Sequence, residues 1–66
     1  MDEYREETIV EIKRNKAFLE KTFGHYDEAL KWYLDAILFQ QEKVAVEDWD
    51  FQLYAEIESL LRIVKD

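Results

Sequence analysis

The chain has 66 residues, no cysteine and a formal net charge of -7, and 48% of its residues are hydrophobic. This length allows one domain, residues 1–66, whose small core must be densely packed or completed by association. The absence of cysteine excludes disulfides, thiolate catalysis and cysteine-based metal sites. The acidic excess opposes binding to nucleic-acid phosphates and anionic membranes, and no segment approaches the roughly 18 apolar residues of a membrane span. We therefore expect a soluble, cytoplasmic protein without nucleic-acid or membrane partners.

The first predicted helix covers residues 2–23. Its apolar side chains share one stripe about 100° wide, which we expect to face the core. The stripe consists of Thr8, Ile9, Ile12, Leu19 and Phe23, with Lys16 among them. A capping box at Thr8–Glu11 allows a later start, at residue 8. Gly24 ends the helix, because glycine readily takes the left-handed conformation that closes a helix C-terminus.

The second predicted helix covers residues 27–43 and follows a turn of about three residues, so the two helices form an antiparallel hairpin. Four of its charged side chains occupy one narrow arc. They are Glu28, Lys31, Asp35 and Glu42. A helix that is apolar over most of its circumference must contact other elements on more than one side. We expect this helix to be the centre of the domain.

The third predicted helix covers residues 49–64. The apolar stripe of the second helix loses its phase after Phe51, and Asp48 and Asp50 can each act as an N-cap there. The favoured fold is therefore an all-α three-helix bundle. The alternative is a two-helix chain with one long helix over residues 27–64, whose apolar faces a second subunit would cover in a dimer.

The stretch from Gly24 to Leu30, followed by Tyr33 and Ala36, resembles the helical hairpin of a tetratricopeptide repeat over residues 24–38. This resemblance implies that Gly24 makes the turn, that Tyr26 packs back onto the first helix, and that Ala29 and Ala36 permit close helix approach.

A single such hairpin followed by one more helix also looks like an MIT domain, which is a three-helix bundle. Domains of that family bind the tails of partner proteins in a groove beside the third helix. The resemblance therefore implies a groove at one face of the third helix, around Leu53, Ile57, Leu60 and Val64.

Motifs for catalysis and metal binding are missing from the sequence. The one histidine, His25, lies in the turn beside Asp27 and Glu28, whereas a metal site requires at least three convergent ligands. There is no calcium-binding loop, nucleophile elbow or glycine-rich phosphate loop. We expect a protein that is not an enzyme and has no cofactor, metal or catalytic residue.

Aromatic residues make up 15% of the chain, which is more than a three-helix core of this size absorbs. Exposed aromatic side chains beside small residues are typical of association sites. The candidate interface residues are Trp32, Ala36, Phe39, Trp49, Phe51, Leu53 and Ile57. The leading hypothesis is a protein–protein interaction module that binds a partner helix or peptide, or that self-associates as a dimer through helices 2 and 3. The alternative is a small acidic regulator that binds a basic surface of a partner protein.

Overall fold

In a computed structural model, which describes residues 5–65, the chain is an all-α three-helix bundle. Helix α1 spans Glu6–Thr22, α2 spans Tyr26–Lys43 and α3 spans Gln52–Lys65, with a 3₁₀ turn at Val46–Asp48 before α3. The predicted fold class is confirmed. The later start of the first helix at residue 8 is wrong, since α1 already includes Glu6; the predicted start at residue 2 lies outside the described residues.

Gly24 closes α1 as predicted. Its φ angle is +83°, and its N–H donates to the Lys21 carbonyl at 3.0 Å while the His25 N–H donates to the Glu20 carbonyl at 2.8 Å. These two bonds form a Schellman motif, which satisfies carbonyls at the helix end that have no partner within the helix. The chain then reverses into α2, and the predicted hairpin is present.

Helix α2 ends at Lys43 without a glycine or a proline. Val44 adopts an extended conformation, and its carbonyl accepts a hydrogen bond from Trp49 Nε1 at 2.8 Å. The Gln40 side-chain oxygen accepts the Asp50 N–H at 2.8 Å. Side-chain contacts across the 44–51 connection thus replace a helix-breaking residue, and the alternative of one long helix over residues 27–64 is wrong.

The core lies where α2 meets the other two helices. Its buried apolar side chains are Val10, Ala17, Ala29, Tyr33, Ala36, Ile37, Leu53 and Leu60. Most of the close backbone approach is between α1 and α2, and α3 packs on α2 through fewer residues. The bundle measures 42 × 23 × 14 Å, and so flat a body leaves every helix with an outer side. No helix within residues 5–65 has the length and apolar character needed to cross a membrane.

Candidate protein-interaction surface

Helix α1 has two apolar faces, and the one with the larger side chains is exposed. Val10 and Ala17 are buried at 2% and 0% exposure. Ile12, Leu19 and Phe23 are 48%, 52% and 71% exposed. Because a helix advances about 100° per residue, Ile12 lies about 200° from Val10, and Leu19 about 200° from Ala17. We call Ile12, Leu19 and Phe23 the outer stripe of α1.

The expectation that this stripe faces the core is therefore wrong. Thr8 and Ile9 are only half-buried, and the three largest members are exposed. The physical reason is the close packing of α1 on α2, where Ala17 belongs to the same buried cluster as Ala29 and Ala36. Alanine lets two helix backbones approach closely, whereas a leucine at position 17 would hold them apart. The small residues thus decide which side of α1 faces inward.

Lys13 of α1 lies at the edge of the contact between α1 and α2. Its Nζ lies 2.6 Å from Asp35 Oδ2, and also 5.8 Å from the centre of the Trp32 ring and 5.6 Å from that of Phe39. An ammonium group at such distances is attracted to the ring faces. Lys13 thus partly covers Trp32 and Phe39, which were predicted as interface residues and are half-buried.

Asp50 connects all three helices. Its Oδ2 accepts a 2.6 Å hydrogen bond from Arg14 on α1, and its Oδ1 accepts the Gln52 N–H at the start of α3 at 3.0 Å. Its own N–H donates to Gln40, a fully buried residue of α2. Of the two predicted N-caps, Asp50 therefore caps α3, whereas Asp48 is exposed.

The remaining buried polar contacts are structural. The buried Tyr33 hydroxyl donates to Glu56 Oε1 at 2.5 Å, which joins α2 to α3. Burial raises the pKa of Tyr33 above its ordinary value, and the hydrogen bond to Glu56 acts in the same direction. The Gln40 side-chain nitrogen makes no hydrogen bond with the described residues. A buried donor without a partner lowers the stability of the fold.

The turn histidine belongs to an exposed ion-pair cluster. His25 Nδ1 lies 2.7 Å from Glu20 Oε1, and Lys16 Nζ lies 3.3 Å from Glu20 Oε2. The hydrogen bonds from His25 and then Lys16 lower the pKa of Glu20. Within residues 5–65, no group of three or more histidine or acidic side chains is arranged to hold a metal ion. The cluster fixes the end of α1 against the start of α2.

The predicted interface residues do not form one surface. Ala36 and Leu53 are fully buried, so they lie below any surface that a partner touches. Ile57 and Trp49 are half-buried. Phe51 is 61% exposed, and its ring lies 6.3 Å from the rings of both Trp49 and Tyr54.

The groove implied by the resemblance to MIT domains is occupied by the chain itself. Leu53 and Leu60 are fully buried in the core, and Ile57 packs against it. Only Val64, at the end of α3, remains 49% exposed on that face. This face of α3 therefore packs inward.

The sequence pattern predicted that the outer stripe of α1 faces the core, whereas the structure exposes it. The signal that points outward is Lys16, which lies within the stripe and is half exposed, with 46% of its side chain in contact with solvent. On the opposite side, Ala17 is the small residue that suits close helix packing.

No protein-family model, curated protein or solved structure matches this chain.

Proposed function

We propose that this protein is a non-catalytic protein-interaction module that binds its partner through the outer stripe of α1. The observation that supports this proposal is the orientation of α1, which buries an alanine and exposes an isoleucine, a leucine and a phenylalanine. A helix that served only the internal core would turn its largest apolar side chains inward.

Water contact makes this arrangement costly for an isolated chain. Each Å² of apolar surface in water costs about 25 cal/mol relative to burial. The three side chains lie at positions 12, 19 and 23, with spacings of seven and four residues, so they lie on one side of the helix, with Lys16 between Ile12 and Leu19. A row of this kind is the pattern by which one helix packs on another helix or in an apolar groove. The hairpin that resembles a tetratricopeptide repeat would then serve as a rigid support for the row.

The test is capture of binding proteins from an extract of the source cell with three forms of the chain. The first is the unchanged chain, the second carries Leu19→Glu in the outer stripe, and the third carries Leu61→Glu on α3. Leu61 is a matched control for Leu19, since the two leucines are 47% and 52% exposed and lie on different helices. We expect a protein that the unchanged chain and the Leu61→Glu variant retain and the Leu19→Glu variant does not. Equal retention by all three forms would contradict the proposal.

A second candidate function, an acidic regulator that binds a basic surface, is favoured by the outer face of α2. Glu28, Asp35 and Glu42 follow one another at seven-residue intervals and are exposed, beside Leu34 and Leu38 at 46% and 65% exposure. Such a face would suit an amphipathic segment with regularly spaced lysine or arginine residues.

Salt separates the two functions. Binding through the acidic row should weaken steeply between about 0.05 and 0.5 M salt, because exposed charges are screened. It should also weaken in a Glu28→Gln/Glu42→Gln variant and not in a Glu47→Gln/Asp48→Asn variant, which loses the same charge at another exposed site. Binding through the apolar outer stripe should be insensitive to both changes.

A further inference from the structure

We propose that the outer stripe of α1 binds a second copy of this chain, with the two α1 helices antiparallel across a two-fold axis. This inference rests on the proposed function and names its partner. The positions of the stripe along α1 allow it to match a second copy of itself.

The spacing of side chains along α1 suits a two-fold contact. Ile12 and Leu19 are equally distant from the midpoint between residues 15 and 16, and so are Thr8 and Phe23. In an antiparallel pair centred on this point, Ile12 of each copy lies beside the partner's Leu19. Each exposed Phe23 lies opposite the partner's smaller Thr8. A two-fold contact requires this reciprocity, in which residue i meets j and j meets i.

The charge of α1 also suits contact with a second copy. Helix α1 with Arg5 carries five bases and four acids, whereas residues 26–51 carry seven acids and two bases. A two-fold contact brings each charge toward its own copy, so a contact through α2 or the following turn would bring acids together. About the midpoint between residues 15 and 16, residues 6–15 carry three acids and two bases, and residues 16–22 carry two bases and one acid. Antiparallel pairing places the net-negative half against the net-positive half, and it also aligns the two helix dipoles favourably.

The centre of the contact is polar and already partly neutralised. Each Lys16 is paired with Glu20 of its own chain at 3.3 Å, which reduces the repulsion between the two copies of Lys16 near the axis. On the other flank, the exposed Asn15 lies beside the partner's Asn15.

The exposed area of the stripe sets the strength of the dimer. A side chain of this size presents about 200 Å² when fully exposed, so the exposed fractions of 48%, 52% and 71% give roughly 350 Å² per copy. Flanking residues extend the contact, but it stays below the roughly 800 Å² per partner of a standard stable interface. The dimer should therefore be weak, with a dissociation constant on the order of 10 to 100 µM.

Sedimentation velocity from about 5 µM to about 1 mM tests the self-association. We expect the unchanged chain and the Leu61→Glu variant to shift from monomer to dimer over this range, and the Leu19→Glu variant to remain monomeric. A sedimentation coefficient that stays at the monomer value at every concentration would overturn the inference. In that case, a partner captured from the extract only by chains with an intact stripe would still support the proposed function with a different protein as occupant.

Single-cysteine variants test the orientation, because the natural chain contains no cysteine. Asn15→Cys places the two sulfurs near the axis, so mild oxidation at high concentration should yield a covalent dimer. Thr8→Cys should not crosslink to itself, since fifteen helical residues at 1.5 Å each separate the two copies by about 22 Å. It should crosslink to Phe23→Cys when the two variants are mixed. Rapid self-crosslinking of Thr8→Cys would show a parallel pair and overturn the antiparallel arrangement.

Discussion

Replacing Asp50 with alanine should destabilise the fold more than any other change to an acidic side chain on the 44–51 connection. The substitution removes the side-chain cap of α3, which is worth about 1 kcal/mol. It also removes the 2.6 Å ion pair between Asp50 and Arg14. The two side chains are only 25% and 27% exposed, so the loss of this pair costs about 1 kcal/mol more. The free energy of unfolding should therefore fall by about 2 kcal/mol. In a domain of this size, that lowers Tm by roughly 10–15 °C.

Thermal unfolding followed by circular dichroism, with Asp48→Ala as the matched control, checks this expectation. Asp48 is exposed and forms no side-chain hydrogen bond or ion pair with the residues between 5 and 65. Its replacement should change the free energy of unfolding by no more than about 0.5 kcal/mol. Asp50→Asn should show about half of the alanine effect, since asparagine caps a helix as well as aspartate but brings no charge to Arg14. Equal Tm values for Asp50→Ala and Asp48→Ala would refute the role given to Asp50.

Four further substitutions test the turn, its hydrogen-bonded cluster and the orientation of α1. Gly24→Ala should lower Tm by about 4–8 °C, because a φ of +83° costs alanine about 1 kcal/mol although nothing lies within 4 Å of the added Cβ. Glu20→Gln should be less stable than the unchanged chain at neutral pH. In acid titrations this difference should close as the pH falls from 4.5 through the lowered pKa of Glu20, because protonation removes the carboxylate that His25 holds. In urea unfolding of the dilute monomer, Ala17→Leu should lower the free energy of unfolding by about 1–3 kcal/mol through overpacking. Leu19→Ala should lower it by less than about 1 kcal/mol. A larger loss for Leu19→Ala than for Ala17→Leu would show that the outer stripe faces the core.

The fold was predictable because its main signals are local. Gly24 alone supplies the positive φ angle that ends α1, and the Asp50 side chain caps α3 from an adjacent position. The end of α2 was harder to locate. It depends on Trp49 reaching back to Val44 and on Gln40 reaching forward to Asp50, and a hydrogen bond over five or ten residues leaves no periodic pattern in the sequence.

The orientation of α1 could not be predicted from its own periodicity. The helix carries two apolar rows, and the larger side chains favour the outer one. What selects the inner row is the pairing of Ala17 with the buried alanines of α2, Ala29 and Ala36. This pairing is a property of two helices together, and neither helix shows it alone. The resemblance to a repeat hairpin implied close approach at the α2 alanines, and the structure buries both of them.

The number of aromatic residues in the chain does not indicate which of their side chains are exposed. Trp32 and Phe39 are partly covered by Lys13, a charged side chain whose methylene stem can cover apolar rings while its ammonium group bonds to Asp35. The partial burial of these two rings thus depends on a basic residue, which the aromatic content of the chain does not indicate.

On α1, the large apolar side chains that the sequence pattern predicted to lie in the core are exposed. Only Val10 and Ala17 of α1 belong to the buried cluster, so the hairpin gains less from this helix than its composition allows. A chain of 66 residues has little apolar surface beyond what its own core requires. Burial of the outer stripe would add to the stability of the same helix by mass action, since a partner that binds only the folded chain stabilises it. In the association proposed above, the arrangement of α1 would couple association to folding, because small side chains bring α1 close to α2 and the large ones on the opposite side are exposed.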